Sequence, residues 1–144
     1  MSLKSQLEAI AKRINEEAQK SLNNNVSDKV IELGGENVQK VVYDAYEPKS
    51  YQRTFQLRDT SWESIPVECG VIIRNDRNEG DGYQIANIVE TGIGYSIPDN
   101  TGTRYGFPRP FMQVTRDMLT SSNIVEEILI KDLTNNLGVK CRLR

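Results

Sequence analysis

Trp62-Glu63-Ser64-Ile65-Pro66-Val67-Glu68-Cys69-Gly70-Val71-Ile72-Ile73 is the stretch that decides the fold class. Its two runs, Trp62–Ile65 and Val67–Ile73, are rich in β-branched and aromatic residues, which suit a pleated, half-buried surface. Pro66 cannot donate to a strand ladder and belongs at the start of the second run or at a bulge. The longer segments on either side carry helical spacing instead. The expected fold is therefore α+β, a small, mainly antiparallel sheet packed by N-terminal and C-terminal helices in a single domain over 1–144.

Upstream, Leu3, Leu7, Ile10, Ile14, Ala18 and Leu22 recur at steps of three or four, with Lys4, Lys12, Arg13, Glu16 and Glu17 around them. This predicts a helix capped by Ser2, its apolar stripe turned to the core. The run Asn23-Asn24-Asn25 is expected to end it, because asparagine tolerates left-handed backbone. Ser27 would cap a second helix carrying Val30, Ile31, Leu33, Val38, Val41, Val42 and Ala45 and closed by Pro48. Within it, Gly34-Gly35 costs up to about 1 kcal/mol per glycine, which points to a bend or a close backbone contact. A phosphate-binding loop is excluded there, since no Gly-Lys-Ser/Thr follows.

Downstream, Arg74–Gly82 has loop composition, and its acids lack the ligand alternation and closing glutamate of a calcium loop. A short helix is expected over 83–90, stopped at Thr91-Gly92. Residues 92–110 hold four of the ten glycines and three of the five prolines, together with Tyr95, Tyr105 and Phe107. A long loop of that kind inside a domain marks a partner surface, because aromatic side chains bury much area at low entropy cost. A helix opens after Pro110 and carries Phe111, Val114, Met118 and Leu119. Asn123 with Glu126 resembles a capping box for another, with Ile124, Val125, Ile128, Leu129, Leu133 and Leu137 on its stripe and Gly138 as its stop. Val139–Leu143 could close the chain as a strand.

Composition narrows the chemistry. The 144 residues are 38% hydrophobic and 26% charged, with a net charge of −2, which fits a globular domain and not a phosphate-blanketing binder. Histidine is absent, which removes the usual general base near neutral pH and the commonest zinc ligand. No serine sits in a nucleophile elbow, and no Ser-x-x-Lys occurs. The pairs Glu16-Glu17 and Glu126-Glu127 diverge by about 100° on a helix and do not share a site. Cys69 and Cys141 lack metal-type spacing and read as free thiols of a reducing cytosol. No apolar stretch reaches membrane-span length, and glutamates interrupt any signal-like start. The chain is thus expected to be non-catalytic, with no cofactor, no metal and no membrane partner, and to be made in a cytoplasm.

Four pieces, in order, carry a resemblance. They are Val42-Tyr43-Asp44-Ala45-Tyr46 leading into Tyr51-Gln52-Arg53-Thr54-Phe55-Gln56-Leu57-Arg58, then Cys69–Arg74, then Ile85-Ala86-Asn87-Ile88-Val89-Glu90-Thr91-Gly92, and last Pro108-Arg109-Pro110-Phe111-Met112. Together they resemble the head–tail joining (neck, or tail-completion) proteins of long-tailed bacteriophages. The resemblance covers about residues 40 to 120, with Tyr51, Arg53, Thr54, Leu57, Glu90, Gly92, Pro108, Pro110 and Phe111 at the motif positions. Phe55 departs from it, standing where the family usually has glycine. A backbone needing positive φ there would strain Phe55.

The resemblance implies a bacteriophage structural subunit in the neck between portal and tail. It would form a homo-oligomeric ring, touch other connector or tail proteins and let DNA pass through, in the virion. A tail-terminator subunit and a small adaptor binding one partner are the rivals. On the residues themselves, Arg53 and Arg58 are expected to pair with Asp59, Glu63 or Glu90. Glu90, at a helix end disfavouring a carboxylate, calls for a buried hydrogen-bonding or arginine-paired role. Tyr95, Arg104, Tyr105, Phe107 and an exposed, extended Arg109 are the expected partner contacts.

Overall fold

A computed structural model describes residues 1–45, 47, 52–79, 83–94 and 107–142, Glu79 and Tyr83 by backbone alone. From Leu3 to Tyr43 the backbone is helical without a break. Helix α1 (Leu3–Ser21) starts at Ser2, whose hydroxyl accepts the Ser5 amide at 3.2 Å. It runs through a π-helical segment, Leu22–Val26, into α2 (Ser27–Asn37) and a second π-helical segment, Val38–Tyr43.

The expected break at Asn23–Asn25 is thus not found, and none of these residues is left-handed. Their side chains are committed to the helix instead. Asn24 donates to the Lys20 carbonyl at 2.8 Å, and Asn23 accepts from Gln19 at 2.9 Å. Ser27 lies inside the helix too, its hydroxyl donating to the Leu22 carbonyl at 2.5 Å. A π turn accommodates one extra residue and so rotates the face that follows by about 100°.

Helix α3 (Gln56–Asp59) is a single turn. Strands β1 (Trp62–Val67) and β2 (Gly70–Asn75) form a two-stranded antiparallel hairpin, and β3 (Asn78–Glu79) pairs antiparallel with β4 (Tyr83–Gln84). The expected second strand at Val67–Ile73 is therefore cut by a turn at Glu68-Cys69, where Cys69 takes φ +56°. Pro66 sits inside β1. Helices α5 (Phe111–Ser121) and α6 (Ile124–Leu137) follow where expected, while α4 (Ile85–Thr91) starts two residues late, because Tyr83–Gln84 pair with Asn78–Glu79 in the stretch expected to be loop. Gly92 and Gly138 stop α4 and α6 in left-handed conformation, at φ +71° and +68°. Asn123 makes no side-chain cap, so the capping box does not form, and described residues 139–142 hold no strand. The fold class is α+β and mostly helical, with helices at both ends of the chain.

The chain divides into two compact units, each drawn from separated stretches. The first comprises Met1–Lys29, Ser64–Ile72 and Leu119–Arg144. Here α1 packs along α6, fastened by polar groups. Ser21 donates to Asp132 at 2.5 Å, and Asn25 donates to the same carboxylate at 3.0 Å. Gln19 reaches the hairpin, donating to the Gly70 carbonyl at 2.7 Å. Both cysteines lie here as free thiols.

The second unit comprises Val30–Glu63 and Ile73–Met118 and holds the apolar core. Val38, Val42, Tyr43, Leu57, Ala86, Val89 and Phe111 are buried together, with Trp62 and Met112 packed against them. Gly34 admits Trp62: a Cβ at Gly34 would meet the indole ring, lying 2.5 Å from Cζ2. The glycine pair is a close-contact site, as its cost in a helix required.

Candidate functional site

Four of the motif residues, Glu90, Gly92, Pro110 and Phe111, meet where α4 ends and α5 begins. Gly92 closes α4 by donating its amide to the Ile88 carbonyl at 2.8 Å. Its left-handed backbone turns the chain away, and only glycine adopts that conformation without Cβ strain. Glu90, two residues earlier, sends its carboxylate to the start of α5. Oε2 accepts the Met112 amide at 2.8 Å and Oε1 the Gln113 amide at 2.9 Å. A carboxylate is unfavourable at the end of its own helix and favourable at the start of another, and here the second term wins. The Arg109 amide adds a bond to the Val89 carbonyl at 2.9 Å. Pro110, one residue before the helix, gives its carbonyl to the Val114 amide at 3.0 Å, and Phe111 is fully buried.

Val89–Gly92 and Arg109–Phe111 therefore clamp the two ends of the segment that joins α4 to α5. The sequence reading anticipated a hydrogen-bonding role for Glu90, but not its donors, which are backbone amides. Arg109 needs correction. It is only 8% exposed, because its backbone is held against α4, and the expected exposure does not occur. Phe107 is 58% exposed, and Pro108 is exposed beside it. Tyr95, Arg104 and Tyr105 lie outside the described residues, as does Tyr51.

A second cluster surrounds Phe55. Its φ is +56°, so the non-glycine residue does occupy a left-handed position. It starts α3, its carbonyl accepting the Arg58 and Asp59 amides at 3.1 and 3.0 Å. The Phe55 ring stands edge-on to Tyr43 with centroids 5.2 Å apart. Arg58 lies 4.9 Å over the Phe55 ring and Arg53 lies 5.0 Å over Tyr43. Arg58 also grips Asp59 through two bonds of 2.6 and 2.8 Å and donates to Gln39 at 2.7 Å.

Of the expected pairings, Arg58 with Asp59 forms, while Glu63 takes Arg74 at 2.7 Å and Glu90 takes amides. The Arg58 hydrogen bond holds the Asp59 carboxyl below its ordinary range. Burial raises the Tyr43 phenol, against a smaller opposing effect of Arg58. Leu57 is buried in the core, and Thr54 is exposed.

Among the described residues, no group of three or more acidic, cysteine or histidine side chains could hold a metal ion. No helix there is long and apolar enough to cross a membrane. The surface that sequence reasoning missed is on α1. Leu3, Leu7, Ile10 and Ile14 were expected to face the core, yet they run from 73% exposed at Leu3 to 41% at Ile14. Their regular spacing was visible; that no element among the described residues covers them was not.

No solved structure matches the chain. It is 40% identical over 116 residues to a SPbeta prophage-derived uncharacterized protein, YomN, of Bacillus subtilis (strain 168), with 81% of each chain covered. The YomN family model matches residues 6–135, a span that contains the α4–α5 clamp and the Phe55 cluster. The chain, a phage or prophage protein, thus belongs to the YomN family.

Proposed function

We propose that this protein is a non-catalytic structural subunit of a phage or prophage head–tail connection, assembling between portal or head-closure ring and tail. The α4–α5 clamp carries the proposal. Gly92 stops a helix, Glu90 caps one, Pro110 bonds backbone to backbone and Phe111 fills the core, and none of the four presents a reactive group. Beside this clamp Phe107 is exposed, and in the proposed role a partner makes contact there. Prophage kinship and the ordered resemblance to neck proteins support the same role.

Copies of the chain would close a ring, each using two different patches. The ring would contact connector and tail proteins and let DNA pass. The subunit would be made in the bacterial cytoplasm and end in the virion.

The test is deletion of the protein from the producing phage or prophage, with electron microscopy and mass spectrometry of the particles. Expected are the chain in intact particles and, without it, DNA-filled heads and finished tails that fail to join. Overlong tails would assign it instead to the tail terminator. Normal particles that never contain the chain would overturn the proposal in favour of an adaptor.

A further inference from the structure

The two units divide apolar surface unequally. Of the hydrophobic residues buried among the described residues, Val26 alone belongs to the first unit, against eight in the second. Of the large hydrophobics exposed among the described residues, eight belong to the first unit and three to the second. Four of the eight, Leu3, Leu7, Ile10 and Ile14, form one stripe on α1.

The first unit shows why that stripe is bare. Helix α6 runs antiparallel to α1, with Asp132 at the level of Ser21 and Asn136 beside Glu17. It stops at Gly138. The same face of α1 is thus covered at Ala18 and Ser21 and uncovered from Ile14 back to Leu3.

We propose that this half of α1 is a self-association face, occupied by α1 of a second copy of the chain. The intervals 3, 7, 10 and 14 are the four–three–four spacing of a helix–helix seam, which a second identical stripe matches. The flanks suit a copy of themselves. Gln6, Ala11 and Ala18 are uncharged, and Arg13 is the one charge bordering the middle of the seam. In parallel pairing Arg13 meets Ala18, half-buried at the edge of the part that α6 covers, and in antiparallel pairing it meets Gln6, so neither opposes like charges. The other charges are satisfied within the helix, Lys4 with Glu8 at 3.9 Å and Lys12 with Glu16 at 3.8 Å. A heterologous partner steered by charge would find little to read here.

Four side chains fall short of the roughly 800 Å² per partner of a stable two-chain interface. The contact is accordingly weak in free solution and strong where many copies are gathered. It is a same-face contact that pairs two copies, additional to the two different patches that would close a ring, and rests on the connector role only for the gathering.

The test measures mass by light scattering, on the full chain, from micromolar to near-millimolar concentration. The wild type is expected to rise from one-chain mass toward multiples. A Leu7→Glu, Ile10→Glu variant should stay at one-chain mass with unchanged circular dichroism, since both sites are exposed. In a Cys69→Ser, Cys141→Ser background, oxidised Leu7→Cys chains should cross-link with each other if the helices are parallel. They should cross-link with Ile10→Cys chains if antiparallel.

One-chain mass throughout without cross-linking, or a rise that the double variant leaves intact, overturns the inference. A chain that self-associates through α1 yet is missing from particles would sink the connector role alone. A particle component that stays single would sink the self-association alone.

Discussion

Glu90 caps a helix it does not belong to: its carboxylate, in the last turn of α4, accepts the Met112 amide at 2.8 Å in the first turn of α5. The Gln113 amide joins on the other oxygen at 2.9 Å, so one side chain satisfies two of the helix's unpaired donors. Glu90→Ala should cost about 1–2 kcal/mol, the usual worth of a cap, read as a lower urea midpoint at unchanged slope. Glu90→Gln keeps one acceptor and should lose less. Equal stability of Glu90→Ala and wild type would show that the cap contributes nothing.

Phe55 sets ring contacts against backbone strain. A left-handed non-glycine residue costs about 1–2 kcal/mol, and an aromatic pair returns about 0.5–1.5 kcal/mol. Phe55→Gly removes both and should leave stability nearly unchanged. Phe55→Ala keeps the strain, loses the contacts with Tyr43 and Arg58, and should fall about 1 kcal/mol below Phe55→Gly. Chemical denaturation of the three proteins gives the order, and an alanine variant equal to the glycine one would refute the assigned strain.

Gly34→Ala gains up to about 1 kcal/mol of helix propensity. The added methyl would collide with the Trp62 ring, and overpacking costs about 1–3 kcal/mol. Net destabilisation of about 1 kcal/mol is expected, with a shifted Trp62 fluorescence maximum. Trp62→Leu should abolish the penalty, so that a double-mutant cycle shows coupling; additive effects would place the cost elsewhere.

Tyr43 links stability to alkaline pH. Burial raises its pKa in the folded chain above the ordinary value near 10. Its contribution is then fully present below the unfolded pKa and is lost as pH rises from there through the raised folded value. Thermal melts across that window should fall more steeply for the wild type than for Tyr43→Phe. Parallel curves would mean that the phenol does not titrate differently on folding.

Much of this fold was legible because its signals are local. Pro110 before Phe111, Gly92 and Gly138 at helix ends, and the strand-forming residues from Trp62 onward act on their own backbone. Even the strain at Phe55 could be anticipated from a glycine position occupied by another residue.

Where a local signal competed with a distant partner, the partner decided. Asn23–Asn25 carry helix-ending chemistry, yet Asn25 and Ser21 are held by Asp132, more than a hundred residues away in sequence. Between two prolines Arg109 has the extended chemistry of a surface residue, but its amide is drawn to Val89. The α1 stripe shows the division most simply. Its periodicity, written in residues 3 to 22, determined that a helix with one apolar face would form. Whether that face is covered depended on the length and register of α6, and α6 ends level with Glu17, leaving Leu3 to Ile14 in water.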